Sequence, residues 1–385
     1  MPTAADAIAV AAGLRLEARR IGFSRIGITS VTEPPHHGQF RDWLSRGLAG
    51  PMAEWLGRHE PLRRSAAALL DDVRSVVMLA TDHAAFSAPE PAAGRGRLAR
   101  YAVGDDYHDL LRRRVNDLGA WLEARVPGCH TRGVVDSAPI AERDFAWLAG
   151  LGWFGKNTML IDPAAGSYFL LTAFLTDVPL PADEPLATDH CGTCTACLDA
   201  CPTGALPEPG VLDAGRCIGA LTVEHHGSVP AELRPGMGDW IFGCDICQEV
   251  CPWNRHAPGS AEPTLQPHGG ETTLSLPELL GLDEPAFRQR FRGSAVTRAK
   301  RTGLLRSAAI ALGNRPDPAS FPALAAAARD ADPVIREAAA WALDRWIAAG
   351  IMADACRAAV AGQPVPQSET SSTSAAGSRP GPSIA

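Results

Sequence analysis

The chain contains no uninterrupted apolar run of about eighteen residues, so nothing in it reads as a membrane span. It also lacks the marks of export. The apolar opening from Ala4 to Leu14 is short, has no basic segment ahead of it, and runs straight into Arg15, Glu17, Arg19 and Arg20. Arg25 interrupts the apolar stretch that a twin-arginine signal at Arg19-Arg20 would need. The expected compartment is the cytoplasm, where thiols stay reduced and disulfides are disfavoured. A G-x-x-x-x-G-K-[ST] phosphate loop is missing as well. Composition excludes little: 385 residues, 46% apolar and 21% charged, suit a protein of two or three domains with real cores. A net charge of -7 argues against a nucleic-acid partner, but the charge is unevenly placed.

What the chain does have is cysteine in one place. Cys191-x2-Cys194-x2-Cys197-x3-Cys201-Pro202 is echoed by Cys244-x2-Cys247-x3-Cys251-Pro252, which lacks a first member, and Cys217 between them can replace it. Each closely spaced set can wrap one cubane, while the last cysteine is carried by a turn of helix towards the neighbouring cluster. This assigns Cys191, Cys194, Cys197 and Cys251 to one [4Fe-4S] cluster, and Cys201, Cys217, Cys244 and Cys247 to the other. Ligands this close together and ending in Cys-Pro do not match a zinc ribbon. Cys129 and Cys356 stand apart. The displaced Cys217 implies an insertion between the clusters and a ferredoxin unit embedded in something larger.

Around this unit the pattern alternates. A first helix ends at Gly22, Ser24 to Ile28 reads as a strand, and residues 39 to 70 look helical, with His59 most simply a surface residue. Val73 to Ala80 is a β-branched run typical of a buried strand, and a loop covers Ser87 to Gly96. A helix is expected from Asp109, capped by Asp105 or Asp106. Val134-Val135 ends a strand, and Asp136-Ser137-Ala138-Pro139 is expected to open the next helix, with Pro139 in its first turn and Asp136 or Ser137 at its cap. A carboxylate at a strand end is also a good site for a catalytic acid or base; on the residues alone, capping is the simpler reading. The turn Gly152-Trp153-Phe154-Gly155-Lys156-Asn157 either approaches a ligand or is merely tight. Ser167 to Leu175 reads as a long strand.

Beyond Pro252 the chain loosens into a linker with Pro258, Pro263, Pro267 and Gly269-Gly270. Arg288, Arg290, Arg292, Arg298, Lys300, Arg301 and Arg306 then follow with no acidic residue among them. That run reads equally as a solvated helix face and as a polyanion site. Short Ala/Leu helices come next, and Asp332 to Leu343 resembles a HEAT unit that must lean on the main body. From Gln363 onward, composition predicts a disordered tail.

Together these segments resemble the epoxyqueuosine reductases, cobalamin and iron-sulfur enzymes of tRNA queuosine biosynthesis. The resemblance runs from about residue 10 to 350. It rests on Arg100-Tyr101-Ala102-Val103-Gly104-Asp105-Asp106-Tyr107-His108, Val135-Asp136-Ser137-Ala138-Pro139-Ile140-Ala141-Glu142-Arg143, Gly150 to Asn157, Gly166-Ser167-Tyr168, and the cysteines with Phe242 before Gly243-Cys244-Asp245. It implies an α+β fold: a nitroreductase-like cobalamin-binding body (residues 1–180), a two-[4Fe-4S] ferredoxin-like module (181–260) and a small C-terminal α-helical HEAT-like domain (261–362), before the tail (363–385). The implied reaction removes the epoxide oxygen of epoxyqueuosine at the wobble position of tRNA, with clusters feeding electrons to cobalamin and Asp136 donating the proton. That role needs burial to raise the Asp136 pKa. The resemblance places His59, Ala99, Asp136, Leu160 and Leu171 at cobalamin and Arg143 at tRNA, to which the basic run adds Arg298, Lys300 and Arg301. An external electron donor is implied, and a monomer is expected. A reductive dehalogenase and a ferredoxin-type electron carrier are the rival readings.

Overall fold

The computed structural model describes residues 3–83, 90–186 and 188–363. The disorder expected from residue 363 falls, beyond Gln363, outside the described residues, as does part of the 87–96 loop. The first half runs α1 (Ala4–Arg20), β1 (Arg25–Ser30), α2 (His37–Ser45), α3 (Ala53–Arg63), β2 (Ser75–Asp82), β3 (Arg95–Leu98), α4 (Tyr107–Arg125), β4 (Thr131–Val134), α5 (Glu142–Leu148), β5 (Trp153–Phe154), β6 (Leu160–Ile161) and β7 (Phe169–Thr176). Strands β1, β2, β7 and β4, in that order, form an antiparallel sheet. It is buried on both faces. Val77 and Leu79 of β2 pack with Leu14, Leu111 and Leu118 on one side, while Val76, Met78 and Ala80 pack with Phe145 and Ala146 on the other. Two-sided burial is why β2 reads as a continuous apolar run and not as an alternating one.

The second half adds α6 (Ala196–Asp199), α7 (Ile218–Val223), β8 (Trp240–Phe242), α8 (Ile246–Glu249), β9 (Thr273–Ser275), α9 (Leu276–Leu280), α10 (Glu284–Arg290), α11 (Lys300–Asn314), α12 (Phe321–Ala327), α13 (Pro333–Ala348) and α14 (Ala353–Val360). A small sheet in the order β8-β3-β9 takes its middle strand from the first half, with β3 parallel to β8 and antiparallel to β9. Leu98 and Ala99, Ile218 and Phe242, and Leu304, Leu312 and Trp346 belong to one buried apolar cluster. The cysteine-bearing segment is therefore held between two layers. The expected start of α13 is seen directly: the Asp332 carboxylate accepts the Val334 N–H, and Pro333 occupies the first turn.

One expectation is overturned. No helix begins at Asp136 to Pro139; α5 starts at Glu142, and its cap residue Ala141 offers no side-chain bond. Asp136 instead takes a left-handed backbone (φ 46°), which aspartate tolerates better than most residues. Pro139 disfavours helical geometry at Ala138, so the chain turns before it coils. The Asp136 carboxylate is thus not consumed as a helix cap.

Candidate active site

The turn after β4 aims Asp136 at the first turn of α4. Its Oδ2 accepts hydrogen bonds from the Tyr107 hydroxyl and from His108 Nε2, each at 3.0 Å. On the far side of the imidazole, Nδ1 lies 2.7 Å from Asp106 Oδ1, and Asp106 also caps α4 through the His108 N–H. The Tyr107 and His108 rings stack, with centroids 4.1 Å apart. Glu142 Oε1 accepts the Asp136 N–H at 3.0 Å, which ties the turn to α5. The Asp136 side chain is 52% exposed, whereas His108 is 16% exposed, so the carboxylate stands at the mouth and the imidazole beneath it.

The electrostatics follow from this packing. Burial pulls the His108 imidazole down, but hydrogen bonds to Asp106 and Asp136 outweigh it and hold the pKa up at about 9. Burial likewise pushes Asp136 up, yet His108, Tyr107 and Arg298 hold it below its ordinary carboxylate value. The expectation that burial would win at Asp136 is therefore reversed: its neighbours keep it ionised. Burial, and then the Asp136 charge, push Glu142 up to about 7.

Leu160 and Leu171 lie in one apolar cluster with Val134 and Ile140, the residues flanking the Asp136 turn, so these three sites converge. His59 stands on α3, stacked on Trp55 and bonded through Nδ1 to the Trp55 carbonyl at 2.7 Å. Arg63, one turn further along α3, faces Glu142. Ala99 belongs to the other core, and its backbone is already engaged: its N–H donates to the Phe242 carbonyl at 2.8 Å and its carbonyl accepts the Ala102 N–H at 2.9 Å. Arg143 is exposed at the rim and donates to the Thr158 carbonyl.

The cysteines gather in two sets of four. Cys191, Cys194, Cys197 and Cys251 line a cavity of about 240 Å³ with His190 and Trp253. Cys217 lies beside Cys201, and Cys244 beside Cys217 and Cys247. Backbone N–H groups point at the sulfurs: Ala205 at Cys201 (3.3 Å), Gly219 and Ala220 at Cys217, and Ile246 at Cys244. Burial raises the Cys217 and Cys244 thiols, and these bonds offset part of that by favouring thiolate. The Gly152 to Asn157 turn clamps both sets. Lys156 Nζ donates to the Gly192 and Cys194 carbonyls at 2.7 and 2.9 Å, and Asn157 donates to the Cys247 carbonyl at 3.2 Å. A side chain at Gly152 would meet the Ile161 carbonyl at 2.3 Å, so the turn must be bare to seat against β6.

The basic run divides: Arg288, Arg290, Arg292, Arg298 and Lys300 stay exposed, while Arg301 and Arg306 turn inward. Arg306 is fully buried and donates to the Leu221, His225 and Gly227 carbonyls. Arg301 turns inward to Asp330 and the Leu282 carbonyl, which spends most of its donors. Arg298 is half exposed, held by Glu224 at 2.9 Å and facing Asp136 and Tyr107, and Lys300 is exposed. Reading the residues alone missed Tyr107, His108 and Glu142 as partners of Asp136. The signal was present in Asp106-Tyr107-His108, a polar cluster richer than a helix cap requires.

A half-exposed carboxylate held by a tyrosine and a histidine on a mixed α/β body, in one chain with two four-cysteine sets, defines the class as an iron-sulfur redox enzyme. The double-cluster 4Fe-4S binding domain matches residues 190–254, and the description "Epoxyqueuosine reductase QueG, DUF1730" matches residues 63–137. The chain is 40% identical to the epoxyqueuosine reductase of Xanthomonas campestris, over 88% of this chain and 96% of that one, and 38% identical to that of Escherichia coli, over 85% and 87%. A crystal structure of epoxyqueuosine reductase with an epoxyqueuosine-modified tRNA-Tyr stem loop superposes with a TM-score of 0.80 at 32% identity, covering 88% of this chain and 90% of that one. A Bacillus subtilis structure with its catalytic loop swung out of the active site matches equally well, at TM-score 0.80 and 32% identity over the same shares. The chain belongs to the epoxyqueuosine reductase family.

Proposed function

We propose that this protein reduces epoxyqueuosine to queuosine at the wobble position of tRNA, using two [4Fe-4S] clusters and cobalamin. The observation that carries the reading is Asp136, unused as a helix cap and half exposed with its carboxylate held by Tyr107 and His108, in a chain about 40% identical to curated epoxyqueuosine reductases. That kinship also sets aside the dehalogenase and the simple electron carrier. In this reading the body is nitroreductase-like, the cysteine segment is a ferredoxin-like module and residues 261–362 form a HEAT-like end. The two cysteine sets are the cluster ligands, and an external electron donor reduces them.

The residues present fit a corrinoid. Leu160 and Leu171 supply an apolar floor next to the ionisable Asp136, and the His59 ring keeps one nitrogen for a polar contact. Ala99 does not fit this role: it is buried in the other core and its backbone bonds are taken. When bound, cobalamin supplies the electron-rich centre that an epoxide carbon requires. The chain supplies the rest. Tyr107 and His108 fix Asp136 Oδ2 where the leaving oxygen must be protonated, and Glu142 holds the turn that carries it. In this reading the exposed Arg143, Arg298 and Lys300 meet tRNA backbone, while an unstacked wobble base enters between them. Arg301 contributes from behind, by holding the start of α11.

The test is Asp136→Asn in anaerobically purified protein. The amide preserves size and hydrogen bonding but delivers no proton, so turnover of an epoxyqueuosine stem loop falls at least about 100-fold. Iron content, cobalamin loading and stem-loop affinity stay at wild-type levels. A fully loaded Asp136→Asn enzyme with wild-type turnover removes Asp136 from the chemistry.

A further inference from the structure

Removing an epoxide oxygen to leave an alkene consumes two electrons and two protons and releases one water. The electrons arrive through the clusters, but a single carboxylate supplies one proton at most, and Asp136 is held in its ionised form. The site therefore needs a proton source behind Asp136. We propose that His108 is that source: its Nε2–H recharges Asp136, so that both protons of the reduction reach the substrate oxygen through one carboxylate.

The geometry carries the assignment. Both imidazole nitrogens face carboxylate oxygens, Nδ1 at 2.7 Å from Asp106 and Nε2 at 3.0 Å from Asp136. Ionised carboxylates only accept, so the ring satisfies both only when both nitrogens carry hydrogen. A neutral tautomer would turn a lone pair on one of them. The charged groups around the ring agree. Asp106 and Asp136 flank it, Arg112 lies behind Asp106, Arg298 faces Asp136 from the turn before α11, Glu142 holds the Asp136 backbone, and the stacked Tyr107 donates to the same Oδ2. The pKa of about 9 at His108 supports the same state.

In the step itself, the Nε2–H bond breaks as an O–H bond forms on Asp136, and Asp136 passes a proton to the substrate oxygen. The ring is left neutral with Nδ1–H still on Asp106. Solvent reaches the ring, which is 16% exposed, and reprotonates Nε2; the same path then delivers the second proton and water leaves. Asp106 acts as a positioning residue that fixes the tautomer.

The proposal rests on Asp136 as the delivering group, and the test separates the two. His108→Gln keeps a donor for Asp136 but relays no proton, so turnover of the stem loop falls about 100-fold, with iron content and stem-loop affinity unchanged. Wild-type turnover falls as pH rises through about 9, where the imidazolium is lost, and His108→Gln lacks that alkaline limb. Independently of activity, nitrogen-15 spectra of the full-length protein with its clusters in place show a doubly protonated His108 at pH 7.5, whose titration moves down in Asp106→Asn. A neutral His108 at pH 7.5, or a His108→Gln enzyme with wild-type rate and alkaline limb, overturns the relay. An inactive Asp136→Asn alongside that result leaves Asp136 in place and removes only His108. An active Asp136→Asn removes both.

Discussion

At the scale of single residues, the site depends on a carboxylate spared from ordinary duty. Asp136 sits where strand ends and helices begin, and a helix starting there would have used its oxygens on backbone N–H groups. The left-handed turn frees it, and Glu142 keeps the turn in place. Glu142 does so at a cost, because its pKa is raised from 4.5 to about 7. A carboxyl raised on folding contributes stability that is full below pH 4.5 and is lost as pH rises through 7. Glu142→Gln, which keeps the acceptor oxygen, should therefore leave thermal stability at pH 4 unchanged and raise it at pH 8 by ~1 kcal/mol. Equal melting shifts at both pH values would contradict that assignment. The sequence announced Asp136 but misplaced its pKa. The expectation rested on burial against a corrin ring, whereas the Tyr107 and His108 hydrogen bonds arise from a chain segment almost thirty residues earlier.

At the scale of elements, the short pieces carry more than the long ones. Strand β2 and helix α13 were legible because a run of β-branched residues or an Asp-Pro cap suffices to specify them. Strands β3, β8 and β9 were not, since three or four residues show no period and their partners lie far along the chain. The Gly152 to Asn157 turn was legible as a turn, but not as a clamp, because its partners are carbonyls and leave no mark in sequence. Replacing Lys156 by Met should remove two charge-assisted bonds to the Cys191–Cys194 loop, costing ~1.5 kcal/mol locally. The cluster on that side should then bleach faster in air while its neighbour keeps its rate, as followed by absorption and iron release. Cys217, immediately before α7, permits a sharper version. Cys217→Ser should lose about four of about eight irons and leave one cubane's spectrum. Retention of both clusters would show that Cys217 is no ligand.

At the scale of the whole molecule, charge is spent inward before it is shown to a partner. Arg301 and Arg306 were counted with the basic run because composition does not reveal that their partners are Asp330 and three backbone carbonyls. Arg301→Gln should accordingly destabilise the fold by ~2 kcal/mol, as breaking a largely buried pair does, without altering how tRNA binding responds to salt. Arg298→Gln with Lys300→Gln should instead flatten the plot of log affinity against log salt by about 1.5. An unchanged slope in that double variant would move the tRNA face elsewhere. The β8-β3-β9 sheet sets a different constraint, one of timing. During synthesis at about 5–20 residues per second, β3 waits on the order of 10–40 s for β9 to leave the ribosome. By the end of that interval all eight clustered cysteines have emerged, while the edge of β3 that faces β9 is still unpaired. Iron delivered before β9 emerges would meet the thiols without their finished scaffold, so cluster assembly belongs after that strand has paired.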